Sequence, residues 1–535
     1  MLNSKITVPL PETGIIVRRT GKYQYVYSVL ETYRNEKGQP TNTRKLIGRL
    51  SSDGERLLPN DNYYELYGNT TELVFIPAFK SIVTIGSTFI IRHILKRLQA
   101  CSILTAVFGV SRAEEILAAA SYMICKGNVF EYVAEWHEEH AYATCALTPQ
   151  KASALFATVS YDERMEFFRQ WVKMKSDTDY ISYDVTSFSS YAQGIKELEW
   201  GYNRDGDRLP QINLGCYIGQ GSRLPLFYVT YPGSIVDKSH MQYMMAYNDD
   251  LGISSKVVFV MDRGFCSTSN VGYMHSNGLK YILGVEMRYK ATRAAIDNVR
   301  DTILSMRNLV SEGVYGVADS SRYYGQSTTL HVFCNPEQGE QQRKDLLRLV
   351  ESMEEELLQL SDATERELKR FHRFFDIVPE DGHFSFSRNY DRIDEAARNC
   401  GFFCILSNTM LSSQEVLATY RHKDTLEKSF DDIKNHLDMK RLRVHSDAAV
   451  AGKLFVAFIA LLAISEISKS LIQYNKTSNR RSMTKDAFVS EMEKIKLVIT
   501  DDGNRLLSPL SKTQRDLFAL FSASEENLTS FLTAT

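Results

Sequence analysis

At 535 residues, 44% hydrophobic and 24% charged, the chain is too long for one ordinary core and too apolar for a disordered one, so several folded domains are expected. A formal net charge of −2 excludes a uniformly basic nucleic-acid coat and leaves any such contact to local patches. Eight cysteines, at 101, 125, 145, 216, 266, 334, 400 and 404, lack CxxC or zinc-ligand spacing, which implies free thiols in a reducing cytosol and no thiolate metal site.

No apolar leader follows Met1, and the longest apolar run, residues 454–464, is too short to span a bilayer and is flanked by Lys453 and Glu466. It is expected to be a core helix, with no membrane contact. Residues 1–86 read as a β-rich module. Between 15 and 49 eight Lys or Arg stand against two Glu, interleaved with Tyr23, Tyr25, Tyr27 and Tyr33. Arg18, Arg19 and Lys22 are therefore candidates for DNA-backbone contact, with a solvated hairpin face as the equal alternative. Residues 87–176 turn helical (I-I-R-H-I-L-K-R-L, then A-E-E-I-L-A-A-A-S-Y-M-I), a candidate DNA-binding module without a helix-turn-helix signature.

At Tyr180 the period changes to two. In Y-I-S-Y-D-V-T-S-F, Ile181, Tyr183 and Val185 point one way and Ser182, Asp184 and Thr186 the other. Further strands follow at 210–219 and 224–230, joined through Gly219–Gly221, and a helix is expected over 237–250. K-V-V-F-V-M-D-R-G-F is a near-continuous apolar run ending in Asp262, as suits a strand buried on both faces. Ligand crevices of open α/β sheets lie at such strand ends, although an Asp before Arg-Gly also serves as a turn former or helix cap. The 288–400 stretch interrupts the pattern. Within it Leu346, Val350, Met353, Leu357 and Leu360 form a short heptad seam that packs either internally or on a second chain. Residues 401–407 return as a strand, 447–473 read as an apolar helix, and short helices are expected to the end.

The stretch 411–443 organises the rest. Ser412 and Glu415 have capping-box spacing, and Leu411 with Val416 forms the matching staple. A single helix is expected from Ser413 to about Leu437. At 100° per residue Leu426, Phe430, Ile433 and Leu437 form an apolar stripe, with Tyr420, Lys423, Glu427 and Lys434 in a second stripe beside it. Arg421, Thr425, Lys428 and Asp432 fall well away from both. A solvated amphipathic helix is the bland alternative.

Two strand-borne aspartates and a helix-borne glutamate suit Mg²⁺, which takes a few carboxylates plus phosphate oxygens. Two carboxylates about 4 Å apart repel by roughly 4 kcal/mol at an effective dielectric near 20. Two divalent ions relieve that repulsion, one activating the attacking oxygen and the other stabilising the leaving one. Asp184, Asp262 and Glu427 are thus the candidate catalytic and metal-binding residues, with two Mg²⁺ expected and Mn²⁺ as substitute. Tyr420, Lys423 and Lys434 would hold a phosphodiester beside them.

Tyr420, Lys423, Glu427 and Lys434, spaced Y-x2-[basic]-x3-E-x6-K, resemble the Y-R-E-K signature of the insertion-sequence-four superfamily of DDE transposases. The strands carrying Asp184 and Asp262 resemble that family's two aspartate strands, and G-Y-N-R-D-G-D-R-L-P-Q-I-N-L-G is similar to its post-aspartate hairpin. The likeness runs from about 182 to 462. It implies an RNase H-like mixed-sheet α/β core with an insertion before the glutamate helix. It also implies metal-dependent cutting and joining of a mobile element's ends, double-stranded DNA (terminal inverted repeats and target) as partner, and a homodimeric synaptic complex acting in trans on nucleoid DNA. Lys423 stands where the signature has arginine, keeping the charge and losing the bidentate fork. The expected organisation is 1–86 β-rich and basic, 87–176 helical, 177–287 and 401–475 the two parts of the core, 288–400 an inserted α/β subdomain, and 476–535 helical. An RNase H-like nuclease without strand transfer, an inactive DNA-binding derivative, and an oligomerisation protein built on the heptad helix are the rival readings.

Overall fold

The computed structural model describes residues 7–534 except 22, 52–53, 69–78, 141–144, 176–179, 204, 361–363, 381–382, 478–481 and 502, and the side chains of 79, 379–380, 424–426 and 533–534. Lys22 and the side chains of Thr425 and Leu426 therefore lie outside the described residues. The chain forms two compact units, Met1–Ala78 and Phe79–Thr535.

The first unit is an antiparallel sheet of β1 (Val8–Pro9), β2 (Ile15–Thr20), β3 (Tyr23–Arg34), β4 (Pro40–Leu50) and β5 (Arg56–Pro59), in the order β1-β5-β4-β3-β2. Its core is small: Val8, Val26, Ile47 and Leu57, with Tyr63 from the Asp61–Tyr67 helix. The N-E-K-G-Q-P turn closes the β3–β4 hairpin. Asn35 Oδ1 accepts from the N–H groups of Lys37 and Gln39, and Gly38 takes φ 75°, which favours glycine.

The second unit begins with β6 (Phe79–Thr84) and a bundle of helices, Gly86–Arg97, Ala100–Lys126, Pro149–Thr158 and Tyr161–Lys175. These pack with the Asp447–Thr477 helix into the largest core, where Phe167, Phe168, Phe455 and Phe458 meet edge to face. The apolar Asp447–Thr477 helix is long enough to cross a membrane, but 89% of its most apolar window is buried inside the protein. It is a core element because bundle and sheet cover its faces. Each fully buried Leu or Phe there contributes about 1.5–3 kcal/mol.

The main sheet has nine strands. In chain order they are β7 (Tyr180–Ser189), β8 (Gln211–Gly219), β9 (Pro225–Pro232), β10 (Val258–Met261), β11 (Lys280–Val285), β12 (Leu309–Ser311), β13 (Val314–Tyr323), β14 (Gln326–Cys334) and, after the β15 (Phe375–Glu380)–β16 (His383–Arg388) hairpin, β17 (Phe402–Ser407). Their order is β12-β13-β14-β17-β11-β10-β7-β8-β9. Only β7, β10 and β11 run parallel to one another, at the centre, so the sheet is mixed.

Strands β12 to β14, from the stretch read as an insertion, extend this sheet through the β14–β17 pairing. The heptad seam of the Pro336–Gln359 helix closes within the chain: Val350, Met353 and Leu357 pack on Leu368, Phe371, Phe374, Phe375 and Ile393. The 476–535 segment holds helices Lys485–Glu493, Lys512–Leu520 and Glu525–Ala534, and also β18 (Lys496–Thr500) and β19 (Arg505–Leu507). Pattern reading missed these two strands, which pair with each other and with β6.

The expected single helix from Ser413 to Leu437 requires correction. The capping box of Ser412 and Glu415 forms, and Leu411 and Val416 share one apolar cluster. The helix, however, runs only Ser413–Arg421. The N–H groups of His422 and Lys423 then bond the carbonyls three residues back, a second helix runs Asp424–Asp431, and Asp432–His436 form a π-helical turn in which Leu437 N–H reaches Asp432 O. A tightened turn followed by a widened one rotates everything downstream away from the ideal 100° phase. Phe430, Ile433 and Leu437 remain buried.

Candidate active site

The three central strands carry one row of residues on one face. Tyr183 pairs with Met261 and Met261 with Leu283, so the next positions, Asp184, Asp262 and Gly284, lie abreast. Ile181, Tyr183, Phe259, Met261 and Leu283 point into the large bundle core. Val260 and Ile282 point the other way, into a cluster with Val416, Leu417 and Tyr420 of the Ser413–Arg421 helix. Period-two geometry thus turns Asp184 and Asp262 toward that helix.

Asp262 directly follows β10. Its Oδ1 accepts from Arg263 N–H at 2.8 Å and from the Tyr420 hydroxyl at 3.0 Å, and lies 3.2 Å from Lys423 Nζ. Burial works to raise the Asp262 carboxyl, but the Lys423 charge and these hydrogen bonds hold it below the usual carboxylate range. Burial and the neighbouring Asp262 charge push the Tyr420 phenol far up, with a smaller contribution from Asp184. Tyr420 is therefore a fixed donor. Asp184 accepts from Val185 N–H at 2.8 Å.

Glu427 sits on the Asp424–Asp431 helix, 62% exposed, with its carboxylate 3.7 Å from Lys423 Nζ. One ammonium thus stands between Asp262 and Glu427. Among the described residues no three His, Cys, Asp or Glu side chains gather closely enough to hold a metal ion. The two aspartates line a cavity of about 300 Å³ together with Asp237, Lys238 and Glu286.

Lys434 is drawn inward by the π turn. It is 10% exposed and its Nζ lies 2.7 Å from Asp205 in the β7–β8 connection. Asp431, three residues away on the helix, instead takes a hydrogen bond from Asn435. Asp432, which ideal phase set well away from both stripes, is buried and paired with Lys485. In the first unit Arg18 and Arg19 are exposed on edge strand β2, while Tyr23 and Tyr27 are covered by the guanidinium groups of Arg49 and Arg44.

Sequence reasoning missed three contributors. Gln220, in the β8–β9 turn, donates to Ser182 Oγ at 2.9 Å and Thr419 O at 3.1 Å, bracing the helix against β7. Asp205 left no signal. Gly284 did leave one, a glycine inside an apolar strand, which marks a close approach.

The transposase DDE domain family model matches residues 175–463, more than half of the chain. The chain belongs to that family. The matched span of this DDE transposase holds all three candidate acids and both helices around Glu427. No curated protein matches its sequence. Among solved structures it is similar to piggyBac transposase in a synaptic complex with hairpin DNA, at 10% identity and a TM-score of 0.35, over 83% of this chain and 82% of that one.

Proposed function

We propose that this DDE transposase cuts the ends of its own mobile element and joins them to target DNA, using Asp184, Asp262 and Glu427 on an RNase H-like core. The observation that carries the reading is the row across β7 and β10, which sets two carboxylates side by side beneath the helix that leads to Glu427.

The donor set fits a hard divalent cation. Asp184 and Asp262 supply oxygen ligands, Asp262 stays ionised, and the adjoining cavity adds Asp237 and Glu286 against Lys238. Glu427 is held by the same ammonium as Asp262, so a cation competes with Lys423 for both carboxylates. The chemistry that Mg²⁺, or Mn²⁺ in its place, supplies when bound by Asp184, Asp262 and Glu427 is activation of a water or 3′-hydroxyl and stabilisation of the leaving oxygen.

The chain's own groups do the rest. Tyr420 donates to Asp262 Oδ1 and, with the Arg263 N–H, holds its rotamer. Lys423 neutralises the acids and, once displaced from them, is placed to meet a phosphodiester. Lys434 locks the β7–β8 connection to the helix through Asp205. Arg18, Arg19 and Lys22 would supply end-proximal backbone contacts from the first unit. The working assembly in this reading is a homodimer on paired DNA ends, acting on nucleoid DNA.

The test is a strand-transfer assay with element-end oligonucleotides, a plasmid target and Mg²⁺. Joined products support the reading. Cleavage without joining favours the nuclease, and binding without cleavage the inactive derivative. Short inverted repeats bracketed by a direct duplication around the gene would identify the DNA ends to use.

A further inference from the structure

The helix face that ideal phase sets well away from Glu427 lines a second cavity. Arg421 and Lys428 face, across about 190 Å³, Lys469 of the Asp447–Thr477 helix and Arg223 of the β8–β9 turn. Among the described residues none of these four cations forms an ion pair with a carboxylate. Arg421 donates to Ser311 Oγ at 3.0 Å, and Lys469 to Ser222 O at 3.4 Å, both neutral acceptors. One acid, Asp432, reaches the cavity, and it is paired with Lys485.

Two further observations point to a ligand. Ser465, 94% buried since only 6% of it is exposed, and Ser468 present hydroxyl oxygens with no hydrogen-bond partner in the same cavity. A buried hydroxyl left unpaired is costly and is satisfied by a bound acceptor. Arg223 adopts φ 61°, a conformation that favours glycine, and an arginine is held there by the turn that Gln220 pins to the helix. Four cations repelling one another around two unpartnered donors form a site for a tetrahedral oxyanion.

We infer that Arg223, Arg421, Lys428 and Lys469, with Ser465 and Ser468, bind a backbone phosphate of DNA away from the reacting one. The inference rests on the transposase reading. Lys428 follows Glu427 on one helix, about 100° round it, so one rigid element reads two phosphates, one on each flank. A phosphate anchored here holds the helix that carries Glu427, coupling grip on the duplex to placement of the third acid.

The experiment uses the full chain and an element-end duplex, with the Lys428→Gln/Lys469→Gln double variant. Binding is measured across salt concentrations, and metal-dependent cleavage at saturating DNA. The slope of log affinity against log salt should flatten by up to about 0.9, the share of one phosphate contact, and cleavage at saturating DNA should fall as the helix that carries Glu427 loses its anchor. A matched control, Lys256→Gln/Lys512→Gln, removes two exposed charges elsewhere and should leave the slope unchanged. An unchanged slope in the double variant, while wild type binds and cleaves, overturns the inference and leaves the transposase reading standing. Equal flattening in the control overturns it as a general charge effect. Thermal stabilisation of wild type by inorganic phosphate, abolished in the double variant without a change in DNA slope, reassigns the site to free phosphate. If wild type neither binds nor cleaves DNA, the transposase reading fails and takes this inference with it.

Discussion

The hydroxyl of Tyr420 occupies the space that a β-carbon on Gly284 would fill. Gly284 stands abreast of Asp262 on the neighbouring strand, so its missing side chain is what lets the phenol reach the Asp262 carboxylate. Gly284→Ala should therefore displace the ring and cost about 1–3 kcal/mol of stability by overpacking. Cleavage should fall as it does in Tyr420→Phe. Because both changes break the same hydrogen bond, the double variant should cleave hardly worse than either single. Additive losses in cleavage would mean that Gly284 and Tyr420 act separately.

Asp184→Asn, Asp262→Asn and Glu427→Gln each keep side-chain shape and remove one anion. All three should abolish Mg²⁺- or Mn²⁺-dependent cleavage and leave DNA binding nearly intact. The ligands act as a unit, so doubles should match singles. Cleavage by Glu427→Gln at near wild-type rate would remove Glu427 from the site.

Asp432 separates packing from chemistry. Ideal helix phase makes Asp432→Asn harmless, whereas its burial against Lys485 makes it a stability residue. The change should lower unfolding free energy by about 1–3 kcal/mol, since the half-buried Lys485 ammonium loses its charged partner. Cleavage per folded molecule should persist. Thermal melting alongside single-turnover cleavage reads both.

Lys434 is tested through its partner. If it acts by holding Asp205, then Lys434→Ala and Asp205→Asn should produce the same loss in cleavage, and their combination no more. If Lys434 meets phosphate instead, Lys434→Ala alone should flatten the salt dependence of binding, by about 0.9.

The Asp262 carboxyl titrates below its usual 3.8, and Lys423 is the chief group lowering it. A depressed folded-state value adds stability that is present above the unfolded value and lost as pH falls through the folded one. Wild type should therefore exceed Lys423→Met in stability at pH 7 and at pH 5, with the gap closing below 3.8. The pair is partly exposed, so the gap should stay within about 1 kcal/mol. Denaturant titrations at the three pH values check the sign.

The sequence alone marked the candidate acids and the strands that carry two of them. Alternation around Asp184, the apolar run closed by Asp262, and the Ser412–Glu415 capping box are local signals, written in a few consecutive residues. The spacing of Tyr420, Lys423, Glu427 and Lys434 is local as well, and it points to the family to which residues 175–463 belong. What only the tertiary structure decided is set by contacts distant in sequence. Strand order makes Asp184, Asp262 and Gly284 neighbours. The tightened turn at His422–Lys423 and the π turn at Asp432–His436 rotate the helix out of ideal phase, and so bury Asp432, turn Lys434 onto Asp205 and place Lys423 between two acids. Helical periodicity read from a sequence assumes 100° at every residue. Packing against β7, β10 and the Asp447–Thr477 helix pulls individual turns away from that value, because burying Ile433 and Leu437 outweighs the small cost of one widened turn.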